Sequence, residues 1–399
     1  MSDKLTMWMH GAVSVLLLAA MAMGCSESIT NPLTPGSGLQ RDDVFIRDTT
    51  LVALSDSVFL LRIPPDSLLF SPTQRNLVGK NANYTAFAAI RFYPLSRDTI
   101  SVLSAKLTLR FISRQGEPSG TFGFTVHKIL TNWDQRSLNW PKVNEAGFYE
   151  SSVVRGSYTS TTNPDTQIIT IDLDTALVRE WYRSDQTSYG VLLVPTSAST
   201  IIRGFSAFDY DSTHFWPKLE VIATDPQRTG RFRDTTSYQA GADTYVANAD
   251  PFPIDNERIY TQAGIVYRSV LRFDASRFAP GTIINSAELQ LERDGTLSRT
   301  FGFSPDPTPV VHAVTRTDTL AFEAPFSGGA LKGSSTTTFA FDVRRQVQLW
   351  VNGSNHGLLL RQALANEINT LDLFVFYGSR AADPAKRPRI VIKYTQFQR

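Results

Sequence analysis

The chain has 399 residues, 42% hydrophobic and 19% charged, with 39 Lys and Arg against 37 Asp and Glu for a net charge of +2. That balance supplies cores for roughly two or three domains and excludes wholesale disorder, a coiled-coil rod and a multi-span membrane protein. Near-cancelling charge argues against nucleic-acid binding through bulk electrostatics, and one Cys with five His leaves little for disulfide frameworks, zinc clusters or thiol redox chemistry.

In chain order, a polar start containing Lys4 leads into an apolar run from Gly11 to Met23, then Gly24 and Cys25. A charged start, a core of about a dozen apolar residues and a small residue before the cut make residues 1–24 a secretory signal peptide. The run is too short for a bilayer span, which takes about 20 residues. Ala22-Met23-Gly24-Cys25 resembles a bacterial lipoprotein signal, with Ala22 where Leu is usual. The resemblance implies cleavage after Gly24, diacylglycerol on Cys25 and a lipid anchor to the membrane. Ser26 in place of Asp implies sorting to an outer membrane. Residues 25–40, with Pro32, Pro35, Gly36 and Gly38 among polar residues, read as a flexible tether. With Cys25 lipidated, no thiol remains for a disulfide.

The rest is written twice. Phe45-Ile46-Arg47-Asp48-Thr49-Thr50 is answered by Arg231-Phe232-Arg233-Asp234-Thr235-Thr236, and Ile90-Arg91-Phe92 by Leu271-Arg272-Phe273. Ser104-Ala105-Lys106-Leu107-Thr108-Leu109 is answered by Ser286-Ala287-Glu288-Leu289-Gln290-Leu291, and Val126-His127 by Val311-His312. Asp172-Leu173 with Trp181 corresponds to Asp342-Val343 with Trp350, Gly190-Val191-Leu192-Leu193 to Gly357-Leu358-Leu359-Leu360, and Pro217-Lys218-Leu219 to Pro388-Arg389-Ile390. Seven matches in one order mark a tandem duplication, with a first domain at 41–224 and a second at 225–399 divided by the polar linker Asp225–Gly230. Between the His and the Asp, the first copy is longer by about fifteen residues, in a stretch rich in aromatics and turn formers.

Within each copy the period is two: Leu107, Leu109 and Phe111 alternate with polar residues, as do Ile169, Ile171 and Leu173, and Leu289 and Leu291. Short strands between Ser, Thr, Asn, Gly and Pro clusters predict an all-β chain of two tandem antiparallel β-sandwich (jelly-roll) domains. One short helix per copy is expected, at Thr175–Arg183 with Asp174 as N-cap and at Arg344–Asn352 ended by a left-handed Gly353.

These motifs, together with Trp133 and Trp140 in the first copy, resemble the DNRLRE-type domains and the related disaggregatase-repeat and alginate-binding carbohydrate modules, over most of residues 41–397. The second copy lacks the tryptophan pair. The resemblance implies non-catalytic jelly-roll modules of cell-surface or polysaccharide-degrading proteins.

A flat aromatic face suits the apolar face of a sugar, so Trp133 and Trp140 are ligand-binding candidates, although the family pattern keeps them as structural residues. Tyr149 and Tyr158, in the first copy's long stretch, fit no strand alternation and are the stronger candidates for contact. Trp181 and Trp350, on the apolar stripes of the helices, read as core. His127 and His312 hold equivalent strand positions without a metal-ligand or catalytic spacing around them. Asp172 with Asp174, and Asp209 with Asp211, offer hard oxygens to a structural calcium, though no twelve-residue calcium loop occurs. No other cofactor is expected.

No nucleophile elbow or phosphate-cradling loop is present, and no enzymatic activity is expected. The leading expectation is a lipid-anchored surface protein with two carbohydrate-binding modules. The alternatives are an architectural or adhesive protein that binds other envelope proteins, and a cryptic polysaccharide-degrading enzyme with a carboxylate pair brought together by the fold.

Overall fold

The computed structural model describes residues 44–61, 75–82, 84–93, 95, 100–183, 187–208, 215–224, 233–249, 254–263, 266–300, 309–316, 321–323, 326–335, 337–363, 367 and 371–397. The leader at 1–24, Cys25, the tether, Asp209, Asp211 and the linker at 225–230 lie outside these residues. Asp48–Tyr394 form one compact unit.

The first copy carries β1 (Val44–Val52), β2 (Ser55–Leu61), β3 (Arg75–Asn81), β4 (Tyr84–Phe92), β5 (Ser101–Gln115), β6 (Phe122–Lys128), β7 (Gly156–Ser160), β8 (Gln167–Asp172), β9 (Val191–Pro195), β10 (Ile202–Ser206) and β11 (Lys218–Thr224). Helix α1 (Trp140–Val143) falls between β6 and β7, and α2 (Thr175–Tyr182) follows β8. The second copy carries β12 (Asp234–Ala249), β13 (Arg258–Gln262), β14 (Val266–Arg272), β15 (Ile283–Glu292) and β16 (Pro309–Arg316). The two-residue strands β17 (Ala321–Phe322), β18 (Ser327–Gly328) and β19 (Ala330–Leu331) come next. Then follow β20 (Thr338–Asp342), α3 (Arg344–Asn352), β21 (Leu358–Gln362), β22 (Leu373–Tyr377) and β23 (Arg389–Phe397). The chain is all-β and antiparallel, as its alternation predicts. In β5, Ala105, Leu107, Leu109 and Phe111 are buried while Lys106, Thr108 and Arg110 face outward.

Corresponding strands pair in matching register. Ile90 of β4 lies opposite Val191 of β9, and Leu271 of β14 opposite Leu358 of β21. His127 lies opposite Leu192, and His312 opposite Leu359. Lys106 faces Asp172, and Glu288 faces Asp342. The tight starts of β9 and β21 are made by Gly190 and Gly357, at φ +87° and +97°.

The strands also pair across the sequence boundary near residue 225. The sixteen-residue β12 opens the second copy, yet its first part pairs with β11 and its second part with β4, both of the first copy. It bends between the two at an irregularity around Gly241, where a Cβ would strike the Tyr93 ring at 2.6 Å. In return β1 lies beside β23 and β2 pairs with β14, both of the second copy. The exchange repeats in detail. Ala53 N donates to Pro388 O at 2.9 Å, and Ala240 N donates to Pro217 O at 2.9 Å. Asp56 on β2 accepts from Ser379 N at 2.6 Å, and Asp243 on β12 accepts from Phe208 N at 2.8 Å.

Each core therefore draws on both copies. Ala240, Tyr245 and Ala247 of β12 join Phe92, Leu107, Phe111 and Phe124, while Leu51 and Ala53 join Leu271, Leu289, Phe341 and Phe376. Trp181 and Trp350 are core residues, as expected, each 6.2 Å from a phenylalanine ring, Phe92 and Phe273. Asp174 caps α2 by accepting from Ala176 N at 2.9 Å. Gly353 departs from expectation: it is extended (φ −160°), not left-handed, because the chain leaves α3 toward Asn355. Asn355 closes that turn by accepting from Gly357 N at 3.0 Å and donating to Phe273 O at 2.7 Å.

Candidate functional site

β4 has two apolar faces. Ala86, Ala88 and Ile90 face the sandwich core, whereas Phe87 and Ala89 point the other way and would be wet in a bare sheet. The first copy's long stretch covers that outer face, with Ile129, Trp133, Leu138, Val143 and Phe148 packed on it. Trp133 is 5% exposed, and its Nε1 donates to Tyr189 O at 2.7 Å. The Arg91 guanidinium sits 5.0 Å from the Trp133 ring and donates to its carbonyl at 3.1 Å. Trp140, half-buried at the start of α1, packs 4.9 Å from Phe87, while Asn139 caps that helix by accepting from Lys142 N at 3.0 Å. Tyr149 is half-buried, edge-on to His127 at 5.4 Å.

The structure thus brings Trp133, Trp140 and Tyr149 into one cluster and places Tyr158 elsewhere. Tyr158 lies within β7, opposite Phe124, and packs on the inter-sheet core 6.0 Å from Phe122 and 5.9 Å from Phe124. The expectation that it belongs to no strand is corrected. β7 is a five-residue strand of Gly, Ser, Tyr and Thr, and only Tyr158 in it signals a buried face.

Beside Trp133 the same stretch leaves an open cleft of about 400 Å³, rimmed by Asp134, Asn139, Lys142 and Glu145. Lys142 Nζ pairs with Glu145 at 2.6 Å, and Asp134 Oδ1 accepts from Arg136 N at 2.9 Å. Polar side chains rim this opening while aromatics hold its base to the sheet.

The repeated histidines hold loops. His127 Nδ1 lies 3.0 Å from Glu150 O, and His312 Nδ1 lies 2.9 Å from Glu323 O, so each ring donates there to a carbonyl of the segment following its strand. His312 Nε2 in turn accepts from Arg361 Nε at 3.2 Å. Burial, then the neighbouring Arg361 and Arg268, push the His312 imidazole below its ordinary range. Glu367 accepts from Arg268 through both carboxylate oxygens at 2.8 and 2.7 Å and from Arg361 at 3.2 Å. Phe87 of the first copy corresponds to Arg268 of the second, whose outer face combines these ion pairs with a smaller apolar cluster of Val270, Val314, Leu359, Phe59 and Phe322. Sequence reading missed this cluster, because single Arg and Glu residues on three elements carry no spacing signal.

Of the calcium candidates, Asp174 is held by Arg155 at 2.5 Å and by its capping bond, and Asp172 lies 3.8 Å from Lys106. Among the described residues, no group of three or more His, Cys, Asp or Glu could hold a metal.

The two sandwiches meet through polar groups. Tyr84 and Gln262 share a hydrogen bond, Arg75 lies 3.9 Å from Asp372, and Gln115 Nε2 donates to Arg299 O at 3.4 Å. Burial pushes the Tyr84 and Tyr245 phenols far above their ordinary range. The loop after β15 is shaped by Asp294, which accepts from Thr296 N at 3.0 Å, Thr296 Oγ1 at 2.6 Å and Arg258 Nε at 2.9 Å. Burial alone would raise this carboxyl, but those donors outweigh it and hold the group below the usual carboxylate range. A depressed folded-state pKa contributes stability that is fully present above the unfolded value and is lost as pH falls through the folded one. Asp294→Asn is therefore expected to cost about 1–3 kcal/mol at pH 7, a deficit that narrows below roughly pH 4. Urea unfolding at both pH values checks this, and equal stability at pH 7 would refute it.

No family model matches the chain, and no curated protein does. Among solved structures, a chain in the structure of the Macrobrachium rosenbergii nodavirus is 10% identical over 92% of this chain and 94% of that one, with a TM-score of 0.13. Likeness at that level carries no argument.

Proposed function

We propose that this chain is an exported lipoprotein of the cell envelope, anchored through Cys25, whose two β-sandwiches bind extracellular polysaccharide without breaking it down. The leader and its Gly24-Cys25 junction support the location, and the DNRLRE-like motifs support the module type. The observation that carries the binding reading is the first copy's long stretch. It is clamped to the sheet by Trp133, Trp140 and Tyr149 and turns polar side chains toward an open cleft, the arrangement of a binding loop on a rigid scaffold. The aromatics act as clamps, and the rim makes the contact.

The test is affinity electrophoresis of the chain from residue 26 onward through gels containing alginate, polygalacturonate, xylan or a β-1,3-glucan. Retardation by at least one is the expected result. Indifference to all of them overturns the reading. Co-purification of envelope proteins would then favour an adhesive role, and release of new reducing ends an enzymatic one.

A further inference from the structure

A second opening lies where the sandwiches meet. The loop after β5 and the loop after β15 hold equivalent places in the two copies, and they face each other across a cleft of about 620 Å³. Its walls include Gln115, Glu117 and Thr200 from one sandwich and Arg293, Thr296 and Arg299 from the other. Among the described residues no aromatic lines it, and its apolar lining is slight, so a ligand would be held there chiefly by hydrogen bonds. Two guanidinium groups against one carboxylate disfavour a cation there.

The decisive group is Gln115. The residue is 1% exposed and lines the cleft, and its Nε2 donates to the Arg299 carbonyl at 3.4 Å. Among the described residues no donor reaches its Oε1. A buried amide oxygen without a donor is costly, and a ligand hydroxyl delivered to it recovers that cost. Hydroxyl, amide and guanidinium groups around one such acceptor match a polyhydroxylated chain, and the volume lies within the range of small-ligand sites.

We propose that this inter-sandwich cleft is a second saccharide site, which takes a short oligosaccharide segment through its ring hydroxyls, with Gln115 at the base. The proposal rests on the polysaccharide reading above and adds a position that only the paired copies can build. Its position also explains why two copies share one compact unit: each supplies one wall.

Gly295 makes the test clean. A Cβ added there meets nothing within 4 Å, so Gly295→Trp starts a bulky side chain from open space on the cleft wall, and Gly328→Trp, equally open at its Cβ but outside the cleft, is the control. Gln115→Leu removes the acceptor at similar volume. Tetra- to hexasaccharides of the four glycans named above are titrated against each form by calorimetry. Gly295→Trp and Gln115→Leu are expected to weaken binding roughly tenfold or more, with Gly328→Trp unchanged. Wild-type affinity in both cleft variants overturns this site and leaves the polysaccharide reading standing. Failure of the wild-type chain to bind any of the four overturns both.

Discussion

A fragment ending at residue 224 is expected not to fold, whereas one running from Arg75 to Ala249 is expected to fold cooperatively. The first would be the natural cut from the sequence repeat, but it leaves β4 and β11 without β12 and carries β1 and β2 with nothing to pair. The second contains all the strands of the first sandwich's sheet and the Ala240, Tyr245 and Ala247 side chains of its core. An unpaired inner edge with a half-open core exposes backbone donors and apolar surface together, a combination that aggregates before it folds. Circular dichroism with thermal unfolding separates the outcomes. A sharp transition in 41–224 equal to that of 75–249 would show that the exchange contributes nothing.

The second large effect concerns Gly190 and Gly357. A Cβ at Gly190 would stand 2.0 Å from Ile90 O, and one at Gly357 would stand 2.4 Å from Leu271 O, both backbone atoms of the neighbouring strand. Each position also lies in the left-handed region, at φ +87° and +97°. Either substitution to Ala therefore combines backbone strain with a displaced sheet pairing and is expected to cost roughly 2–4 kcal/mol. Gly147 and Gly281 have φ of +84° and +85° but open space around the missing Cβ. Ala at these two isolates the conformational part, about 1 kcal/mol. If urea midpoints fall equally for all four, close approach of the strands is not what Gly190 and Gly357 provide.

Much of the architecture is legible in the residues because alternation reports burial directly. Leu107, Leu109 and Phe111 are core residues on β5, and Trp181 and Trp350 sit beneath their helices. The exchange is not legible, for a physical reason. β1 and β12 both carry Asp-Thr-Thr preceded by Arg, so each would suit either sandwich, and local pattern cannot say which partner a strand reaches. The pairing is decided by connections and by contacts far apart in the chain. For the aromatic candidates, composition marks the stretch as unusual but not which way its rings turn. Trp133, Trp140 and Tyr149 look like display residues until Phe87 and Ala89 are seen to need a cover. The inter-sandwich cleft is invisible in one dimension, since its walls come from loops nearly two hundred positions apart.

The reciprocal strand exchange also sets a timetable. Ser55 meets Arg272 in the finished sheet, so the opening strands leave the ribosome long before their partners exist. At roughly 5–20 residues per second, that wait lasts about 10–40 seconds. A nascent chain so wired can close its first sandwich once β12 has emerged, but β1 and β2 stay unpaired until β14 and β23 follow. On the export proposed above, that late closure of the second sandwich would fall after passage through the membrane.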